Sequence, residues 1–196
     1  MENHFPEIQA RHTRTSLEVV GELFPAAEPR VRARLSPLVG QAIEAAFRLD
    51  YLPVMVALEV AAAIRDELGP LGARRVAREA LRRTLNGSIL GGLVRSAIAL
   101  FGNTPPGLLK WAGRGYGNVC RDCGDLRLAS ATEREAELRL ENLPVELNVP
   151  SYLDTMAGSL EAFFDICGVE GTARYDPWPG GARFVLRWTP RRTPLD

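Results

Sequence analysis

Lysine and histidine are almost missing from this chain of 196 residues: Lys110 is the one lysine, and the two histidines are His4 and His12. With no imidazole beyond residue 12, the body of the chain lacks the usual general base. The formal net charge is zero, so no whole-chain field draws the protein to nucleic acid. The longest mostly apolar run, residues 51–64, contains Pro53 and Glu59 and is too short to cross a bilayer. The start, MENHFPEIQARHTRTS, has no apolar centre and does not read as a secretory signal. Only three cysteines occur, which suits reduced thiols and a cytoplasmic location. There is no P-loop. GRGYGN (113–118) follows no strand and opens no helix, so it is not the dinucleotide fingerprint. Catalysis has little support, and the expectation is a non-enzymatic protein.

What is present is 46% hydrophobic residues, enough for one compact domain. Charge is unevenly placed. Residues 65–121 hold ten Lys/Arg against three Asp/Glu, and residues 122–196 hold eight against thirteen. We expect a flexible arm over 1–15, a single domain over 16–190 and a short tail over 191–196. Helical spacing predicts helices over 41–48, 52–68, 73–85 and 88–101. Gly69-Pro70 and Asn86-Gly87 act as stops. The 52–68 segment is apolar on nearly every face, so it must be covered on several sides or form a subunit contact.

After Gly113 the period becomes two. DLRLAS and EAELRLENL alternate apolar and polar residues around the polar ATERE, a hairpin pattern. A helix follows from Ser151, read as its N-cap with Asp154 three residues on, to a stop at Gly168. GTARY and ARFVLRWT then flank the turn DPWPGG. The order predicts an α+β fold, in which a helical layer packs on a four-stranded antiparallel sheet built strand–strand–helix–strand–strand.

That C-terminal pattern, LRLENLP, then YLDTMAGSLEAFFDICGV, then GTARYDPWPGGARFVLRW, resembles the closing module of a known superfamily. It joins 4-vinyl-reductase-like domains, haem-nitric-oxide-binding domains and the vesicle-tethering TRAPP subunits. The stretch DYLPVMVALEVAAAIRDELGPLGARRVAREALRRTLNG is similar to the helical half of a paralogous family of unknown function abundant in myxobacteria. The resemblance covers roughly residues 30–189 and carries no catalytic signature. It implies a ligand-sensing or scaffold domain, often a homodimer joined through helices. The haem-binding branch needs an axial histidine on a helix and a Tyr-x-Ser-x-Arg element. With His4 and His12 placed in the arm, and no such element, the expectation is against haem of that kind.

Three groups are candidate sites. Cys120 and Cys123 form a C-x-x-C ahead of a strand, which disfavours a redox pair. They read as structural thiols, with zinc held by Cys120, Cys123 and Cys167 as the alternative. Arg74, Arg78 and Arg82 share one helical stripe and are either a solvated face or the surface for a partner protein. No aromatic or Gly-rich reading element accompanies them, so nucleic acid is not the expected partner. Tyr51, Met55, Trp111, Arg114 and Tyr116 are candidates for the wall of a small-ligand pocket between helices and sheet, or else ordinary core. The expected function is a sensory or regulatory domain binding a small apolar ligand or a partner protein. A scaffold without ligand, or a zinc-stabilised regulatory module, is the alternative.

Overall fold

The computed structural model describes residues 5–47, 49–86 and 88–189. The chain opens with a short strand, β1 (Glu7–Gln9), and helix α1 (Ala10–Leu23). This corrects the expected arm over 1–15: from residue 5 onward it is built into the fold, while residues 1–4, His4 included, lie outside the described residues. The small helices α2 (Glu28–Ala33) and α3 (Pro37–Ala45) follow, then strand β2 (Tyr51–Pro53) and the long helix α4 (Val54–Asn86). The side chain of Ser36 caps α3 by accepting from Val39 N, and Pro37 supplies a pre-set first turn.

Gly69-Pro70 was expected to separate two helices, and it kinks one. Gly69 takes φ 70°, ψ 174°, which glycine reaches at little cost, and Pro70 restarts the helix where its missing N–H is not needed. The apolar faces of the first arm are covered within the chain. Val56, Val60, Ala63 and Ile64 join a core shared with α1, α2 and α3, including Leu17, Val20, Val31 and Ile43. Val54 and Leu58 belong instead to the core that faces the sheet. Of the two readings of this helix, the structure places it at the centre of the fold.

Helices α5 (Ser88–Phe101), α6 (Pro105–Leu109) and α7 (Ala112–Val119) lead to strand β3 (Cys120–Arg121). Gly87, part of the stop expected after α4, lies outside the described residues. The hairpin β4 (Asp125–Ala131) and β5 (Glu135–Glu141), helix α8 (Pro150–Cys167), and the hairpin β6 (Gly171–Trp178) and β7 (Gly181–Trp188) complete the described chain. The tail over 191–196 lies outside the described residues.

The four-stranded antiparallel sheet runs β4-β5-β7-β6, in keeping with the expected order. In β5 and β7 alternate side chains are buried: Ala136, Leu138 and Leu140 on one strand, Ala182, Phe184, Leu186 and Trp188 on the other. Burying each of the larger ones contributes about 1.5–3 kcal/mol. A second sheet was not expected. Its strands, β2-β1-β3, are two or three residues long, too short to show alternation. It ties the N-terminus to the C-x-x-C segment through Ile8 opposite Leu52 and Cys120.

Helix α8 lies between the sheet and α4. Its stripe of Leu153, Met156, Leu160 and Phe164 packs on the sheet side. On the other side Gly158 lets α4 approach so closely that a Cβ there would sit 2.3 Å from the Arg74 carbonyl oxygen. The helix starts at Pro150 after Val149 without a side-chain cap, so Ser151 is not the N-cap. It ends as expected on Gly168, in the left-handed region at φ 64°.

Candidate ligand cavity

Helix α7 places Ala112, Tyr116 and Val119 on one buried face, a spacing of four and three residues that turns them all inward. Its opposite positions include glycines, and Gly113 sits so close to β4 that a Cβ would meet Leu126 O at 2.3 Å. Across from this face, α8 presents Tyr152, Met156 and Leu160 at four-residue spacing. Between them lies a cavity of about 130 Å³. Leu81 and Leu85 from the second arm of α4, Val94 from α5, Leu108 and Trp111 close it on the helical side. Ile8 and His12 close it at the N-terminal side.

Few polar atoms on the wall are free. Tyr116 Oη donates to Cys123 O at 2.6 Å and lies 2.7 Å from Tyr152 Oη, both contacts buried. Burial pushes both phenols well above their usual range, so they remain neutral hydroxyls. Thr155 Oγ1 returns to Ser151 O within its own helix at 2.9 Å. The Arg114 guanidinium stacks 4.8 Å from the Trp111 ring centroid.

Of the five residues expected to form a pocket wall, Trp111, Arg114 and Tyr116 line this cavity. Tyr51 and Met55 do not. Tyr51 Oη accepts from Gln9 Nε2 and donates to Asn118 O, and its ring lies under Arg121. Met55 is 58% exposed.

His12 was expected in a loose arm, and this is corrected. It sits on α1, lines the cavity, and its Nδ1 is buried with no hydrogen-bond partner. The residue retains some accessible surface, yet the ring is sunk deeply enough that burial, aided by the nearby Arg11 charge, lowers its pKa to about 4. It is a neutral imidazole at neutral pH.

The cysteines are all free and buried. Cys123 donates to Arg121 O at 3.1 Å. The Cys120 thiol is pushed up by its hydrogen bond to Cys123 and by burial, the opposite of an activated nucleophile. Cys167 packs with Leu108 in a separate cluster, so the three thiols of the zinc alternative are not brought together. Among the described residues no three Cys, His, Asp or Glu side chains converge as a metal site.

Within the arginine stripe, Arg74 and Arg78 are paired across the fold, while Arg82 stays 43% exposed and pairs within its own helix. Arg74 Nε donates to Asp154 Oδ1 and its Nη1 to Ala173 O, both at 2.9 Å. Arg78 makes a forked pair with Asp165 at 2.8 and 2.6 Å. Arg82, with Arg83 beside it, holds the Glu79 carboxylate down to about 2. The pairs Arg74–Asp154 and Arg78–Asp165 join α4 to α8 and the Arg74–Ala173 bond joins α4 to β6, whereas the Glu79 pairs stay within α4.

Comparison with known proteins agrees with this architecture. No family model matches the chain, and no curated protein matches it. Solved structures do match. The Fe(II) unliganded H-NOX protein from K. algicida has a TM-score of 0.62 at 6% identity, covering 94% of this chain and 98% of its own. A mutant of T. tengcongensis H-NOX has a TM-score of 0.61 at 13% identity, covering 96% and 100%. A structure probing heme distortion in the H-NOX family scores 0.61 at 12% identity, covering 96% and 98%. The chain has an H-NOX-like fold.

Whether this cavity suits a haem depends on ligands and room. His12, Cys120 and Met156 are of types that ligate haem iron, and all three line the cavity. Helices α5, α6 and α7 carry no histidine, cysteine or methionine. A volume of about 130 Å³ is well under the about 300–1,000 Å³ that holds drug-sized ligands, and a tetrapyrrole is larger still. The cavity in this form does not fit a haem. Of the two grounds for the expectation against haem, the placing of both histidines in a loose arm does not hold for His12, while the missing Tyr-x-Ser-x-Arg element stands.

No helix among the described residues is long and apolar enough to cross a membrane.

Proposed function

We propose that this chain is a non-enzymatic sensory or regulatory domain that takes a small apolar ligand into the cavity between α7, α8 and the end of α4. The observation that carries the reading is a partly open space walled by Trp111, Tyr116, Met156 and leucines, with the Tyr116, Tyr152 and Thr155 hydroxyls already paired. Dry apolar cavities of similar size, about 150 Å³, bind benzene-sized molecules. The H-NOX-like fold supports a sensor over an enzyme, as does a wall without an activated nucleophile or converging carboxylates. The domain would work in the cytoplasm, among the 4-vinyl-reductase-like relatives and the myxobacterial paralogues its sequence resembles. Ligand occupancy would be read out where α7 and α4 meet α8.

The test is NMR titration with toluene, following the Trp111 indole signal. Saturable shifts at Trp111, abolished in Ser159→Phe, where the added ring fills the cavity, are the expected result. No shift in the wild type overturns the reading.

A second reading is a homodimeric scaffold. Leu38 and Phe47 are 78% and 79% exposed, and Leu49 and Met55 are 58% exposed, all in or near α3 and β2. These apolar side chains are the surface a second copy would cover. Sedimentation of wild type and Phe47→Glu distinguishes a dimer that the variant splits from a monomer in both.

A further inference from the structure

The wall of the main cavity holds a buried polar atom without a partner, on His12, and the next residue, Thr13, brings a second, its Oγ1, to the smaller space beside it. His12 Nδ1 makes no hydrogen bond, although the atom itself is buried. Leaving such a group unpaired is unfavourable, and native interiors rarely tolerate it without a purpose. Apart from Ser159 and the Arg114 guanidinium, the rest of the wall offers a ligand little. The Tyr116 and Tyr152 hydroxyls satisfy each other and the Cys123 carbonyl, and Thr155 is bonded within α8. His12 also lines a second, smaller cavity of about 40 Å³, which shares Ile8, Tyr152 and Thr155 with the first. The imidazole therefore stands where the two spaces meet, at one end of an otherwise apolar chamber.

We propose that His12 is the polar anchor of the cavity and that its ligand is a small, mostly apolar molecule carrying a single hydroxyl or N–H, such as a phenol, an indole or a short alcohol. The proposal rests on the cavity being a ligand site and adds which chemistry it selects. A neutral imidazole has one donor and one acceptor nitrogen, so it pairs with a hydroxyl in either sense. The imidazole itself offers little to a carboxylate or an ammonium that would repay their desolvation, so this anchor selects a neutral ligand. The volume limits the apolar part to about one aromatic ring.

The experiment compares phenol with toluene, which match in size and differ in the hydroxyl, by calorimetry on wild type and His12→Leu. The expected result is a loss of about fivefold in phenol affinity in the variant, the worth of one neutral hydrogen bond, with toluene binding kept or improved. A parallel measurement needs no variant of His12. The imidazole 15N resonances, assigned against His4→Gln, should move with phenol and stay with toluene. If toluene and phenol both bind and His12→Leu alters them equally, or if phenol leaves the His12 nitrogens unmoved, the anchor is refuted while the cavity reading stands. That is the outcome in which a water in the smaller cavity partners the imidazole. If neither compound binds the wild type, the cavity reading itself falls, and the anchor with it.

Discussion

Arg74 and Asp154, eighty residues apart in the chain, meet at 2.9 Å inside the seam between α4 and α8, and Arg65 holds the other carboxylate oxygen at 2.8 Å. Asp154 is 2% exposed, so it is a buried anion between two cations, one of which also reaches the β6 backbone at Ala173. The cation that seemed free in sequence is the tie between helix, helix and sheet. Asp154→Ala leaves both guanidiniums without their carboxylate. Loss of a fully buried partner costs about 3–5 kcal/mol, and here the arginines still touch solvent, so we expect about 2–3 kcal/mol from urea denaturation. A loss under about 0.5 kcal/mol would mean the network contributes no net stability.

Gly158 is the second tie in the same seam. Its missing Cβ admits the Arg74 backbone, and a methyl there would lie 2.7 Å from the Arg74 Cα. Gly158→Ala should cost about 3 kcal/mol through forced separation of the helices. Gly40→Ala is the control: a Cβ at that helical position meets nothing within 4 Å. It should be neutral or stabilise by up to about 1 kcal/mol. Equal effects from the two substitutions would remove close packing as the cause.

The Tyr116–Tyr152 pair predicts a non-additive cycle. Tyr116→Phe strands the Tyr152 hydroxyl and the Cys123 carbonyl together and should cost about 1–3 kcal/mol. With Tyr152→Phe added, the double variant should cost less than the sum of the singles, because one stranded hydroxyl is removed. Strict additivity in thermal or urea unfolding would show that the two hydroxyls do not interact.

Stability should fall as the medium turns acid, and His12 sets the window. Its pKa is lowered to about 4 in the fold, against 6.5 for an unburied histidine. Between those values the unfolded chain binds a proton that the folded chain refuses. The contribution is therefore complete above about pH 6.5 and is lost as pH falls through about 4. The slope from one such group is at most about 1.4 kcal/mol per pH unit. Glu161 works in the opposite sense: burial raises its carboxyl, so its effect favours the fold at low pH and fades as pH rises. The difference between wild type and His12→Leu across pH 4–7 isolates the imidazole, and parallel curves would contradict its burial.

Much of the C-terminal half was legible because one face of each element is apolar. The alternation in EAELRLENL put Ala136, Leu138 and Leu140 in the core, and the three- and four-residue spacing of Leu153, Met156, Leu160 and Phe164 built α8. The N-terminal segment hid its structure for a physical reason. The face that α1 buries early on is Ala10, Thr13 and Ser16, small or polar side chains that a hydrophobic pattern does not register. The strands β1, β2 and β3 are too short to carry a period at all. In the candidate wall, Trp111 and Tyr116 stood out by type, whereas His12 was passed over because its neighbours Arg11, Thr13 and Arg14 read as solvated.

The sequence by itself determined the local elements and the order in which they follow, since periodicity, glycine and proline act within a few residues. Tertiary structure decided where charge and imidazole ended up. Arg74 became a tie across the fold, and His12 an unpaired imidazole nitrogen at the cavity, because both outcomes depend on which distant side chains arrive beside them. A single chain of letters records each partner but not the meeting.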